Sequence, residues 1–408
     1  MGKTLYYFTA SFPYGLGEQW KVNELNELVH YFDDIVVVPY SYSGNKTSPK
    51  SVPKGVKVQD PLFEDASLQI SRLQLLEILF HTKVYIFLSE FFKKKVFLKK
   101  KWLIGWITAT QNAIRLFKHP FFITLQKTDT HNTILYFYWG KGSSEILPFI
   151  KTELFDKVVV RFHGYDLFEY RNHGYIPYRK QLLDCITCAS PVSTAGQKHL
   201  ISLYPRVKAE INVFRCGTID NGKKTKASKD GVLRVVSCSS VIPLKRIHVM
   251  IEAVRQFEYP LEWTHVGDGP LMDQFKNLLK EYGLEDKFIF IGWIAPDKIL
   301  DYYTERQFDV FVNTSSTEGV PVSVMEAFAT SIPVLATDVG GTGEILDRQV
   351  GRLMPADLTP ELLVETLIEF YNLPGDQKNE MKENAFHRYM EKCNARELAK
   401  ELAQYLVS

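Results

Sequence analysis

The sequence predicts an α/β protein made of two Rossmann-like domains, and three observations lead there. After residue 231, apolar strand-like runs alternate with helix-length segments; the first half repeats that alternation less regularly; and 408 residues, 45% of them apolar, supply material for two ordinary domains. Strand-turn-helix alternation of this kind gives parallel sheets covered by helices, with ligand sites at the carboxyl ends of the strands.

In the first half, the strand candidates are TLYYFTA, DIVVVPY, TILYFYWG, KVVVRFHG and CITCAS. The segment FPYGLGEQW joins the first of these to a helical stretch, and Gly15 with Gly17 either serve turn geometry alone or bring backbone amides against an anion. His163 closes the run VVVRF, with Asp166 three residues on, and a histidine satisfied by backbone hydrogen bonds is the plain reading of it. Between residues 66 and 125 lies a long insertion. Within it, residues 83–118 hold nine Lys or Arg against the single acid Glu90, interleaved with Phe91, Phe92, Phe97, Trp102 and Trp106. That composition suits an anionic membrane surface, where each basic residue contributes about 1 kcal/mol, although a solvated bundle with a buried aromatic side fits as well. Charges interrupt it too often for a spanning helix.

Residues 216–231, CGTIDNGKKTKASKDG, are polar and glycine-bearing and read as a linker. This sets domains at 1–215 and 232–384. In the second half the strands are LRVVSC, LEWTHV, KFIFIG, DVFVNT and IPVLAT. Lys245 stands before a helix that begins near Ile247, where a lysine either neutralises a phosphate or is merely solvated. The turns WTHVGDGP, with Gly267, and FIFIGWIA, with Gly292 ahead of Ile294, are either plain turns or parts of a nucleotide pocket; VGGTGEIL follows the last strand in the same way.

The most informative segment is TSSTEGVPVSVMEAFATSIPVLATD, which reads as loop, helix and strand with Glu318 and Glu326 around the turn. Pro321 fits the first helical position, so a helix starts near it and presents unpaired amides to the loop containing Gly319 and Val320. Glu326 lies too far along to cap that helix, and suits neutral hydroxyl donors instead.

EGVPVSVMEA resembles the two-glutamate motif of retaining GT-B glycosyltransferases, specifically glycosyltransferase family 4 of the capsule and exopolysaccharide type. The resemblance implies two Rossmann-like domains facing across a cleft, the N-terminal one binding the acceptor and the segment 385–408 crossing back onto it. It implies transfer of a sugar from a nucleotide-diphosphate donor to a glycan or lipid-linked acceptor. In this reading Glu318 meets the donor sugar, Glu326 holds the ribose hydroxyls, and the backbone of Gly319, Val320 and Pro321 meets sugar or diphosphate. Lys245 holds the diphosphate, Ile294 lies beside the base, and Gly267, Gly15 and Gly17 line the donor. His163 reaches the reacting sugar and Asp166 orients it or the acceptor. The family commonly has a glycine and an arginine where this chain has Ser239 and Ser240, so either Arg246 substitutes as the second cation or serine hydroxyls and helix amides carry more of the diphosphate. That departure leaves open a catalytically silent binding subunit, or another GT-B chemistry such as epimerisation.

The remaining composition narrows the class. A formal net charge of +2 gives no argument for a nucleic-acid partner. Five cysteines form no secreted disulfide framework, and Cys185 with Cys188 sit in DCITCAS, which reads as a buried strand and not as a metal site. No Asp-x-Asp pair occurs, which fits fixed cations in place of a bound metal and no cofactor beyond the donor itself. No long apolar signal region opens the chain, so a cytoplasmic protein at the inner face of the membrane is expected.

Overall fold

A computed structural model describes residues 2–15, 18, 20–42, 51–66, 84–127 and 130–408. Two compact units emerge: Met1–Phe214 with Ala399–Ser408, and Arg215–Leu398.

The first unit carries a seven-stranded sheet of β1 (Thr4–Thr9), β2 (Asp34–Pro39), β3 (Val56–Val58), β4 (Thr133–Phe137), β5 (Lys157–Phe162), β6 (Cys188–Pro191) and β7 (Glu210–Ile211). Its order is β3-β2-β1-β4-β5-β6-β7, with every pairing parallel. The edge strands β3 and β7, three and two residues long and of mixed character, carry too little periodic signal to be read from sequence. The second unit has β8 (Leu233–Cys238), β9 (Leu261–Val266), β10 (Phe288–Gly292), β11 (Val310–Asn313), β12 (Val334–Thr337) and β13 (Gly351–Met354), in the all-parallel order β10-β9-β8-β11-β12-β13. Strand order reverses at β1/β4 in one sheet and at β8/β11 in the other. At such a switch point the loops diverge and leave room for a ligand.

Burial explains the elements. β4 reads TILYF and is buried throughout, as a central parallel strand must be with helices on both faces. The helix Val322–Ala329 puts Val324, Met325, Ala327 and Phe328 into the same cluster as Phe311 of β11 and Val334 of β12.

Three expectations change. The polar segment 216–231 is not a free linker but belongs to the second unit. Thr225 donates its amide to the Thr330 carbonyl at 2.9 Å, and Ser228 donates its amide and hydroxyl to Asp309. The return to the first unit starts at Ala399 and not near 385: the helix Gly375–Lys392 buries Ala385 and Tyr389 against Phe328 and its neighbours, and only the last part of Ala395–Val407 joins the first unit. There Lys157 donates to the Tyr405 carbonyl and Lys3 to that of Val407. DCITCAS, finally, divides into a helix end at Cys185 and a strand from Cys188, because the helix Arg179–Cys185 buries Leu182 and Leu183 before the chain turns.

Of the insertion, residues 67–83 lie outside the described residues. The rest forms helices Val84–Lys93 and Lys100–Phe117 around a short turn. Trp106 is buried and Trp102 stacks on Tyr175, whereas Tyr85, Phe92, Phe97, Leu98 and Ile104 stand exposed among Lys93, Lys94, Lys95, Lys99, Lys100 and Lys101. Among the described residues no helix is long and apolar enough to cross a membrane.

Candidate functional site

In the second unit, the loops after β8 and β11 meet at the switch point. The Lys245 ammonium and the Glu318 carboxylate form an ion pair at 2.6 Å, and Asn313 at the end of β11 reaches the same oxygen at 3.4 Å. The loops are fastened to each other through backbone carbonyls. Ser316 donates its amide to the Leu244 carbonyl at 2.9 Å and Thr314 its hydroxyl to that of Lys245 at 2.8 Å. Thr337 binds the Ser315 carbonyl from the other side at 2.6 Å. Gly340, at φ +60°, packs so close that a Cβ there would lie 2.0 Å from the Glu318 carbonyl oxygen, and Gly341 donates its amide to Gly319. Glu318 and Gly319 are thus held from both sides.

The helix after this loop runs Val322–Ala329, with Pro321 one residue earlier as its cap and not at its first turn position; its carbonyl accepts from the Val324 amide at 3.1 Å. Glu326 projects from the second turn. Its carboxyl makes no hydrogen bond or ion pair among the described residues, and burial alone pushes it up to about 8. A carboxylate so placed gains from any neutral hydroxyl donor that arrives. Cys238, at the end of β8, feels it: burial and the Glu326 charge push the thiol up to about 12. Ile294 and Val320 pack on the same apolar cluster as Cys238.

Arg246 is placed differently. Its guanidinium donates to the carbonyls of Thr314 at 2.6 Å, Ala356 at 2.8 Å and Ser315 at 3.2 Å, so it clamps the loop instead of standing free beside Lys245 as a second cation. Gly267, at φ +135°, serves the backbone as well, since a Cβ would lie 1.9 Å from the Ser239 carbonyl oxygen, and its amide binds Gly292 at 2.8 Å. Ser239 receives support from below, where buried His265 bridges Ser237 at 2.8 Å and the Ser239 carbonyl at 3.1 Å. Burial depresses that imidazole to about 4.

In the first unit, the switch point between β1 and β4 opens a cavity of about 280 Å³, lined by Phe8, Thr9, Tyr40, Phe137, Trp139, Lys141, Ser143 and Tyr165 among others. Beside it the loop after β1 wraps around Glu18, whose carboxylate accepts from the amides of Ser11 at 2.9 Å and Phe12 at 3.0 Å and from Trp139 Nε1, and is paired with Lys21. Burial opposes the charge, but the Lys21 ammonium and these donors prevail and hold the carboxyl down at about 2. Gly15, at φ +73°, lets the loop turn; the amides that it would help present to an anion are in part already bound by Glu18. Gly17 lies outside the described residues. Glu18 and Lys21 are not singled out by the sequence, although Glu18 stands inside FPYGLGEQW.

His163 follows β5 with Nε2 3.1 Å from the Tyr138 carbonyl and its ring against Tyr138 and Trp139. Burial, with the Arg161 and Lys21 charges, keeps it neutral well below the usual range, so Nε2 carries the proton and donates it to the carbonyl. Asp166 is fully buried; its oxygens accept from the amides of His163 at 2.6 Å and Gly140 at 2.5 Å. It braces the β4 and β5 loops through these two amides, and it is also among the residues that line the cavity. Burial pushes it up to about 6.

Residues 218–388 match the family described as Glycosyl transferases group 1. That range contains Lys245, Gly267, Ile294, Glu318 and Glu326, and none of Gly15, His163 or Asp166. The chain is 26% identical over 262 residues to the putative colanic acid biosynthesis glycosyltransferase WcaL of Escherichia coli, covering 61% of this chain and 64% of that protein. It is 32% identical over 216 residues to the amylovoran biosynthesis glycosyltransferase AmsK of Erwinia amylovora, covering 49% and 51%. The matches thus span between half and just under two thirds of these relatives' own length. Among solved structures, sucrose-phosphate synthase from Thermosynechococcus elongatus superposes with a TM-score of 0.70 at 16% identity over 99% of this chain and 98% of that one. The fold is GT-B.

Proposed function

We propose that this chain is a retaining glycosyltransferase of family 4 that moves a sugar from a nucleotide-diphosphate donor to a glycan or lipid-linked acceptor in polysaccharide biosynthesis. The observation that carries the reading is the contact of Lys245 with Glu318 at the switch point, beside a helix whose Glu326 carboxyl has no partner among the described residues. The group 1 match and the names of WcaL and AmsK support it.

In this mechanism the leaving diphosphate gains negative charge in the transition state. Lys245 and the first amides of the helix Val322–Ala329 answer that charge more strongly than they answer the ground state. Glu318, released from Lys245, takes the donor sugar's hydroxyls, and Glu326 takes the ribose hydroxyls. The acceptor oxygen forms the new bond to the sugar's anomeric carbon as the bond to the diphosphate breaks, its proton passes to the leaving phosphate, and Glu318 positions the sugar without attacking it. Lys245 and the helix amides stand in for a metal, and activity is expected to survive a chelator. A panel of nucleotide sugars tests this: one donor raises the melting temperature and is converted to a new glycoside only when acceptor is added. Donor binding without turnover would point to a silent subunit, and isomerisation without acceptor to an epimerase; either result removes the proposal.

We further assign the exposed face around Phe92, Phe97 and Leu98, with its six lysines, to an anionic membrane surface at the inner face of the cell membrane. Reversing Lys94, Lys95, Lys100 and Lys101 to glutamate is expected to weaken cosedimentation with anionic phospholipid vesicles by roughly 100-fold or more. Unchanged sedimentation, or equal binding to neutral vesicles, counts against this surface.

A further inference from the structure

A second cavity, of about 350 Å³, lies at the opposite end of the second sheet from Lys245. It opens where β8 and β11 begin, and is walled by Leu233, Asp309, Phe370, Tyr371 and the start of the helix Gly375–Lys392. Three lysines line it: Lys229, Lys378 and Lys382.

Lys382 is the unusual one. It is only 9% exposed, and its ammonium has no hydrogen-bond partner among the described residues. Burial pushes it down to about 8, which leaves it largely charged at neutral pH. Lys378 stands one turn earlier on the same helix, so two like charges share a face, an arrangement that disfavours the helix unless an anion relieves it. Lys378 donates one proton to the Tyr371 carbonyl at 2.7 Å. Asp309 on the cavity wall lends both lysines a negative charge, but its oxygens accept from the amides of Ser228 and Arg234 and from the Ser228 hydroxyl, and it gives neither ammonium a hydrogen bond. Glu383, the next acid along, is exposed and paired with Lys224. The helix adds its own positive end: Gly375 lines the cavity, and the first amides of an 18-residue helix have no intrahelical acceptor.

We propose that this cavity is an oxyanion site for a small phosphate-bearing molecule, held by Lys382, Lys378 and the amino end of the helix Gly375–Lys392. A buried ammonium with no hydrogen-bond partner among the described residues, a second ammonium one turn away and a helix terminus all converge on one volume, and phosphate satisfies all three. Apolar walls from Phe370, Tyr371 and Leu233 leave room for a compact body attached to that phosphate. The site is independent of the proposed transfer reaction.

The test is thermal unfolding of the full chain in inorganic phosphate, with chloride at matched ionic strength as control. At ten times its dissociation constant, phosphate is expected to raise the unfolding temperature by roughly 3–6 °C. Lys382→Met and Lys378→Gln should each abolish most of that rise, while Lys245→Ala keeps it. If the Lys382→Met and Lys378→Gln proteins both fold and retain the full rise, phosphate binds elsewhere and the assignment fails. Loss of the rise in Lys245→Ala alone would likewise overturn it, by placing phosphate at the other end of the sheet.

Discussion

Lys245→Ala is expected to lower sugar transfer by roughly 100-fold or more, the usual cost of deleting one fixed charge aimed at a developing anion. The loss should fall on kcat and on kcat/KM together, because the lysine answers charge that appears only as the donor bond breaks. The ion pair adds a second expectation. Lys245 and Glu318 share one contact, so Glu318→Gln and Lys245→Ala should not be additive; once the cation is gone, removing the carboxylate's charge costs less than it does in the parent. Steady-state kinetics of the two single variants and the double variant, with the identified donor, measure both quantities. Parent-level kcat in Lys245→Ala would remove the lysine from the chemistry.

The largest effect on stability is expected from Lys21→Met. Lys21 is 0% exposed and pairs with Glu18, which is also buried, so deleting the ammonium leaves a carboxylate in the interior with only neutral donors. Breaking a buried pair in this way costs about 3–5 kcal/mol, read from denaturant unfolding of the first unit. The double variant Lys21→Met with Glu18→Gln should recover much of that loss, since no uncompensated charge remains. The acid dependence has a definite sign. Glu18 is held at about 2 in the folded protein against an ordinary 4.5, so its contribution is present above the ordinary value and fades as pH falls toward 2. In Lys21→Met that acid sensitivity should flatten. A shift below about 1 kcal/mol would show that the pair is not what holds the loop.

Much of this architecture was legible because parallel strands flanked by helices leave continuous apolar runs. DVFVNT and IPVLAT read as strands for that reason, and each forms one. Lys245, Glu318 and Glu326 were legible too, since each stands just after a strand or on the helix that follows, where chain direction alone sends it to the same end of the sheet. What escaped depends on distance in space. Nothing local in ASFPYGLGEQWK says that Glu18 will fold back onto the amides of Ser11 and Phe12 and close on Lys21. Arg246 looks equivalent to Lys245 in sequence, but a left-handed backbone at Arg246 turns its side chain toward the carbonyls of residues 314, 315 and 356. Segment 216–231 looks like a tether because it is polar, yet Thr225 and Ser228 direct their hydroxyls to backbone and carboxylate partners far along the chain.

Gly340 and Glu318 make contact where no atom can be added between them. The stretch that bears the carboxylate and the stretch that braces it must therefore change as one unit. A chimera that borrowed residues 314–321 from a relative, without the matching 338–343, would import a glutamate without the brace that aims it. Swapping donor preference between related enzymes is, on this view, a two-segment exchange.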